Sequence, residues 1–119
     1  MTIGGNTMKW HIEASCGNSP KNQMLIDWIQ DYIENKNELP FVTEDSTILY
    51  QGKTSILNTF EFPKPINEIH LKTAITHGRI GSVLGTAYSD VQSYPFALFF
   101  EFSLGKQPKI KHVDSIIEK

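Results

Sequence analysis

The spacing of apolar side chains along this chain changes character near its middle. Leu25, Trp28, Ile29, Tyr32 and Ile33 recur at i, i+3, i+4, i+7 and i+8, opposite Asp27, Gln30, Asp31 and Glu34. That is the stripe of an amphipathic helix whose apolar side must face a sheet. Ser19-Pro20 predicts its start, a capping hydroxyl followed by a proline at the first helical position, where the missing N–H costs nothing. Asn35-Lys36-Asn37 predicts its end. From Ile66 the period becomes two. Ile69, Leu71, Thr73 and Ile75 alternate with His70, Lys72 and Thr76, His77-Gly78-Arg79 reads as a hairpin turn, and Val83 and Ala87 then alternate with Ile80, Ser82, Leu84 and Thr86.

The next run, Tyr94 to Phe102, is apolar on both sides. Successive side chains of a strand point to opposite faces, so Phe96, Leu98, Phe100 and Phe102 share one face while Ala97 and Phe99 share the other. Helices earlier in the chain can cover one face. The other needs a second cover, and a chain this short has little left to supply it, so Ala97 and Phe99 are assigned to a homodimer contact. In the last strand, Ile110 to Ile117, strict alternation groups Ile110, His112, Asp114 and Ile116 against Lys111, Val113, Ser115 and Ile117.

The remaining segments are shorter. Met8, Trp10 and Ile12 alternate with Lys9, His11 and Glu13, as in a half-exposed edge strand or arm. Glu38 to Thr43 reads as a short turn carrying Leu39, Phe41 and Val42 inward, Thr47 to Gln51 as a brief strand, and Thr54 to Phe60 as a second, shorter helix stopped by Pro63 and Pro65. Helices first and a strand meander afterwards argue for an α+β fold rather than a βαβ parallel one. Residues 1–7, small and polar, read as a disordered lead-in, and 8–119 as a single domain.

Composition narrows the function classes. The 119 residues suffice for one real core, and the single cysteine, Cys16, cannot form an internal bridge. With no secretory or membrane-spanning run, a reducing cytoplasm is the expected compartment and no membrane is expected as a partner. Thirteen acidic residues against eleven basic ones, with no basic stripe, exclude a row of phosphates and hence nucleic acid.

The order of elements resembles the nuclear-transport-factor-like superfamily, which includes ketosteroid isomerases and SnoaL-like proteins. Cys16-Gly17-Asn18-Ser19-Pro20-Lys21, Thr76-His77-Gly78-Arg79, Tyr94 to Ser103, and Lys109-Ile110-Lys111 with Ser115 look like an uncharacterised bacterial SnoaL-like group. The resemblance implies a cone-shaped, curved antiparallel sheet wrapped around a long N-terminal helix and shorter helices. It also implies an apolar pocket at the open end and frequent dimerisation through the convex face. The chain departs from that pattern after Thr43-Glu44-Asp45, where only Ser46 to Gln51 stands in place of a longer hairpin, and at Leu98 and Phe100, where relatives carry polar pocket residues.

Candidate chemistry is sparse. Trp28, Tyr32, Tyr50, Phe96, Leu98 and Phe100, with His112 and Asp114, are assigned to the wall of an interior pocket for a small apolar ligand; a solid aromatic core is the competing arrangement. In ketosteroid isomerases an Asp base removes a proton beside a carbonyl while other acids hold the oxyanion. Asp114 and His112 are the nearest analogues here, with isomerase, cyclase or hydrolase action on an apolar carbonyl compound as the alternative to simple binding. The favoured reading of the two is without chemistry: they lie at a solvated edge or satisfy each other across a dimer face. Gly52-Lys53-Thr54 lacks the preceding glycine of a phosphate loop, since Thr47 stands there. Cys16 has no identifiable catalytic partner. His11, His70 and His77 show no ligand spacing on a shared helix face, so neither a metal nor a cofactor is expected.

Overall fold

A computed structural model describes residues 8–13, 20–34, 42–62, 65–104 and 109–118 of the chain. The expected lead-in, the Ser19 cap, the helix end at 35–37 and the inward positions Leu39 and Phe41 lie outside the described residues. So do Cys16 and Pro63.

Among the described residues, seven strands form one curved sheet: β1 (Lys9–Ile12), β2 (Val42–Tyr50), β3 (Lys53–Ile56), β4 (Glu68–His77), β5 (Ile80–Tyr88), β6 (Ser93–Phe102) and β7 (Ile110–Ile117). Their order across the sheet is β1-β4-β5-β6-β7-β2-β3. The meander from β4 to β7 is antiparallel, as its short turns require. The whole sheet is mixed, which corrects the all-antiparallel expectation: β1 runs parallel to β4, and β2 parallel to β7. Both parallel pairs join segments far apart in sequence, where nothing forces a hairpin.

One α-helix, α1 (Pro20–Ile33), is present among the described residues, and it begins at the predicted proline. Its apolar stripe covers the inner face of the sheet. The second helix expected over Thr54 to Phe60 is instead β3 followed by a single 3₁₀ turn at Leu57–Thr59. Gln51 and Gly52 explain the difference. Both have positive φ, 52° and 79°, which is the signature of a two-residue hairpin turn whose twist matches paired strands. That turn folds Lys53 back onto Tyr50 and commits the next residues to extended pairing with β2. Val42 and Thr43, expected in an irregular turn, already belong to β2.

Two register shifts decide which side chains face inward. One falls between Leu71 and Thr73 on β4. An extra residue there reverses the alternation, so Ala74 is 1% exposed and Ile75 is 55% exposed, opposite to the simple period-2 reading. The other shift lies between Glu101 and Phe102, where β6 meets β7. It puts Ile110 inside beside Phe102 while His112, Asp114 and Ile116 face outward with Phe99, Glu101 and Ala97. The expected grouping of Ile110 with His112 therefore does not hold.

Leu25, Trp28 and Ile29 of α1 are wholly buried against Ile69, Leu71, Val83, Leu98, Phe102 and Val113 of the sheet. At roughly 1.5–3 kcal/mol per large apolar side chain, this contact outweighs any single polar interaction in the molecule. Trp10 Nε1 donates to Glu34 Oε2 at 2.7 Å and fastens edge strand β1 to the end of the helix. No described helix is long and apolar enough to cross a membrane.

The inner face is tight enough to be tested at one glycine. A Cβ on Gly85 would lie 2.5 Å from the His70 carbonyl oxygen and 2.8 Å from Phe96 Cζ. Because the first of these atoms is backbone in the paired strand, Gly85→Ala is expected to cost about 1–3 kcal/mol, read as a lower urea midpoint at unchanged m-value. An unchanged midpoint would mean that the β4–β5 spacing is looser than described.

Candidate functional site

Three places concentrate chemistry, and they lie on different parts of the sheet. The interior gathers Trp28, Tyr32, Phe96, Leu98 and Phe100, all buried, with Tyr50 half-buried at the rim. Trp28 stacks on Tyr32 with ring centres 4.7 Å apart and meets Phe100 edge-on at 5.3 Å. Phe60 lies parallel to Tyr32 and edge-on to Tyr50, while Phe62 meets Phe96 at 5.4 Å. The rings form an interlocked stack.

Two polar tips enter this stack and fare differently. The Tyr32 hydroxyl donates to the Phe60 carbonyl at 2.7 Å. Burial pushes its pKa well above the usual phenol range, and the negative charge of Glu61 adds to the rise. Trp28 Nε1 is buried with no hydrogen-bond acceptor among the described residues. Indole can only donate, and a buried donor left bare costs about 1–3 kcal/mol. The sequence locates the ring but carries no sign of how its N–H is placed.

His112 and Asp114 are absent from the interior group. They sit on the outer face of β7, across the sheet from Trp28, because β7 alternates and its inward positions belong to Val113 and Ser115. His112 Nε2 lies 2.8 Å from Asp114 Oδ1, and Nδ1 lies 2.6 Å from the Thr47 hydroxyl on β2. With the ring proton on Nε2, His112 donates to Asp114 and accepts from Thr47. His112 and Asp114 border an outer groove of about 480 Å³ with Ile75, Ile80, Phe99 and Glu101. Ala97 and Phe99, assigned to the dimer contact, lie on this same face. Thr47 was missed as a partner because its place beside His112 depends on the parallel pairing of β2 with β7, which joins residues far apart in the chain.

The third place is at the β1 edge of the sheet. Parallel pairing sets His11 of β1 opposite His70 of β4, and Glu68 falls two residues before His70 on the same face. His11 Nε2 lies 3.1 Å and His70 Nε2 2.8 Å from one oxygen, Glu68 Oε2. The hydrogen bond from His70, reinforced by the charges of His11, His70 and Lys9, outweighs desolvation and holds the Glu68 carboxyl below its usual range. The Glu68-x-His70 spacing is readable as a shared strand face in the sequence. A search confined to helix faces passes over it.

Solved structures were compared with this arrangement. An NTF-2 like protein of unknown function from Burkholderia xenovorans LB400 superimposes with a TM-score of 0.67 at 12% identity, covering 82% of this chain and 81% of that one. An ntf2-like protein of unknown function from Shewanella baltica OS155 matches with a TM-score of 0.47 at 14% identity, covering 83% of this chain and 94% of that one. No family model matches the sequence, and no curated protein does. The first likeness shows that the chain has the NTF2-like fold, the architecture that its order of elements resembled.

The buried phenol gives a pH dependence of defined sign. Below about pH 10 Tyr32 is neutral in both folded and unfolded chains, so its full stabilisation is present. Above that, the unfolded state ionises first, and stability is lost as pH rises toward the raised folded value. In an absorbance titration, one of the four tyrosines should therefore ionise late, near alkaline unfolding, and the late step should vanish in Tyr32→Phe. Identical titrations of the two proteins would contradict the buried geometry.

Proposed function

We propose that this chain is a homodimeric binding domain for a small apolar ligand that carries a hydrogen-bond acceptor, held between α1 and the inner face of the sheet. The buried Nε1 of Trp28, which has no acceptor among the described residues, carries the reading. An acceptor such as a ligand carbonyl would recover the desolvation cost of that N–H, while the surrounding rings supply apolar contact. Tyr50, half-buried where the aromatic stack meets solvent, marks the side of entry. The NTF2-like fold supports the reading in general form, since the resemblance implies a pocket in this position.

Dimerisation is the second part of the proposal, and it rests on the outer face. Ile75, Ile80, Leu84, Phe99 and Ile116 are all large, apolar and exposed there. Cross-strand pairing makes Leu84, Ala97 and Ile116 one row and Ser82, Phe99 and Asp114 the next. A second copy would cover this surface and complete the burial of a strand that is apolar on both sides.

An enzymatic reading, isomerase, cyclase or hydrolase action on a small apolar carbonyl compound, draws on a separate observation. The Thr47–His112–Asp114 hydrogen-bonded series borders an apolar groove, which is the setting in which an imidazole can move a proton. On this reading the chemistry lies on the outer face, and a dimer contact there would have to leave the groove open.

Titration with steroid-like and polyketide-like carbonyl compounds, followed by indole fluorescence, tests the binding reading. Saturable quenching is expected in the wild type and should weaken by about tenfold in Trp28→Phe, in line with one lost buried hydrogen bond. Equal affinity in both proteins would overturn it. Exchange of the proton beside the carbonyl, unchanged in Asp114→Asn, would remove the enzymatic reading. Sedimentation at micromolar concentration should show a dimer that Phe99→Lys converts to a folded monomer; a wild-type monomer would refute the assembly.

A further inference from the structure

We infer that His11, Glu68 and His70 form a binding site for a divalent first-row transition ion such as zinc. The three side chains come from two strands whose parallel register fixes them: His11 pairs with His70, and the pleat brings Glu68 to the same face. One ligand atom from each, two imidazole nitrogens and a carboxylate oxygen, can be chosen so that all lie within 4.8 Å of one another. Metal–ligand bonds of about 2.0–2.1 Å in tetrahedral geometry place ligand atoms about 3.3 Å apart. The 2.8 and 3.1 Å contacts at Glu68 need to open by only a few tenths of an ångström. An ion would take the place of the imidazole protons that now face the carboxylate.

The surroundings suit a bound ion with open positions. The His11 and His70 rings lie 4.4 Å apart and tilted by 42°, which sets the two imidazoles side by side over the strand pair. Tyr88 packs against His70 with ring centres 4.8 Å apart and limits how far that ring can swing. A polar cleft of about 650 Å³ adjoins Glu68 and His70, with Asp90 at its edge. The side chains keep 31–61% of their surface exposed, so the fourth position faces solvent and can hold water or a small anion. Lys9, paired with Glu68 in register, works against the ion and limits affinity. Two nitrogens and one carboxylate favour zinc, nickel, cobalt or copper over magnesium or calcium, which prefer oxygen shells. Neither the fold nor the proposed ligand site beside Trp28 calls for such an ion, and the inference stands or falls independently of ligand binding there.

Calorimetric titration of the full chain with zinc chloride tests the inference, with magnesium chloride as the control. One zinc ion per chain is expected at micromolar affinity, with no heat from magnesium. Glu68→Gln, which keeps the shape and a hydrogen-bonding carbonyl, should weaken zinc by at least about tenfold. His11→Asn, on an exposed edge position, should do the same, while His112→Asn leaves the affinity unchanged. The inference is overturned by absence of zinc binding at ~100 μM, well above the range of a micromolar site. Wild-type affinity in His11→Asn and Glu68→Gln, or loss of binding only in His112→Asn, overturns it equally. Circular dichroism of each variant separates loss of a ligand from loss of the fold.

Discussion

The burial of α1 against one face of the sheet is the constraint on which the rest of this structure depends. Leu25, Trp28 and Ile29 reach full burial only if the strands beneath present an uninterrupted apolar face. Strict alternation would not supply one. On β4 it would direct Ile75 at the helix and turn Ala74 away, and on β7 it would separate Ile110 from Val113. The two register shifts resolve this by spending one extra residue in each strand pair, after which small and large inward side chains fit the helix above them. Thr76 then hydrogen-bonds Asn22 of α1 at 2.9 Å, a polar contact that fixes the helix along the strand direction.

The same shifts create the outer face. Each residue turned away from the helix must go somewhere, and Ile75, Phe99 and Ile116 gather on the side that no element of the described chain covers. His112 and Asp114 go with them. The fold therefore separates its chemistry: an aromatic interior in which Trp28 Nε1 has no acceptor among the described residues, an outer groove with an imidazole–carboxylate pair, and an edge cluster of two histidines and a glutamate. Each belongs to a different face or margin of one sheet.

Much of the architecture was legible because it follows from local rules. The helix stripe, the proline start, the hairpin at Gly78 and the two-sided aromatic strand all appear in the structure where periodicity and turn chemistry place them. The errors have a common physical origin in pairing at a distance. Parallel partnership of β1 with β4 and of β2 with β7 leaves no local mark, so neither the Thr47–His112 contact nor the His11–Glu68–His70 cluster could be assembled from spacing alone. A bulge has no fixed sequence signature either, and a shift of one residue moved Ile75 and His112 to the opposite face from the one alternation assigned. The apparent helix at Thr54 to Phe60 was lost to a two-residue turn whose first position, Gln51, is a residue seldom found with positive φ.

Sidedness of the sheet is the central claim, and nuclear Overhauser contacts to α1 measure it most directly. Thr76 and the Ala74 methyl should show contacts to side chains of α1, while the Ile75 methyls show none within the same chain, whether the protein is monomeric or paired. Contacts from Ile75 to α1, with Ala74 silent, would mean that β4 keeps a regular pleat and that the outer face described here does not exist.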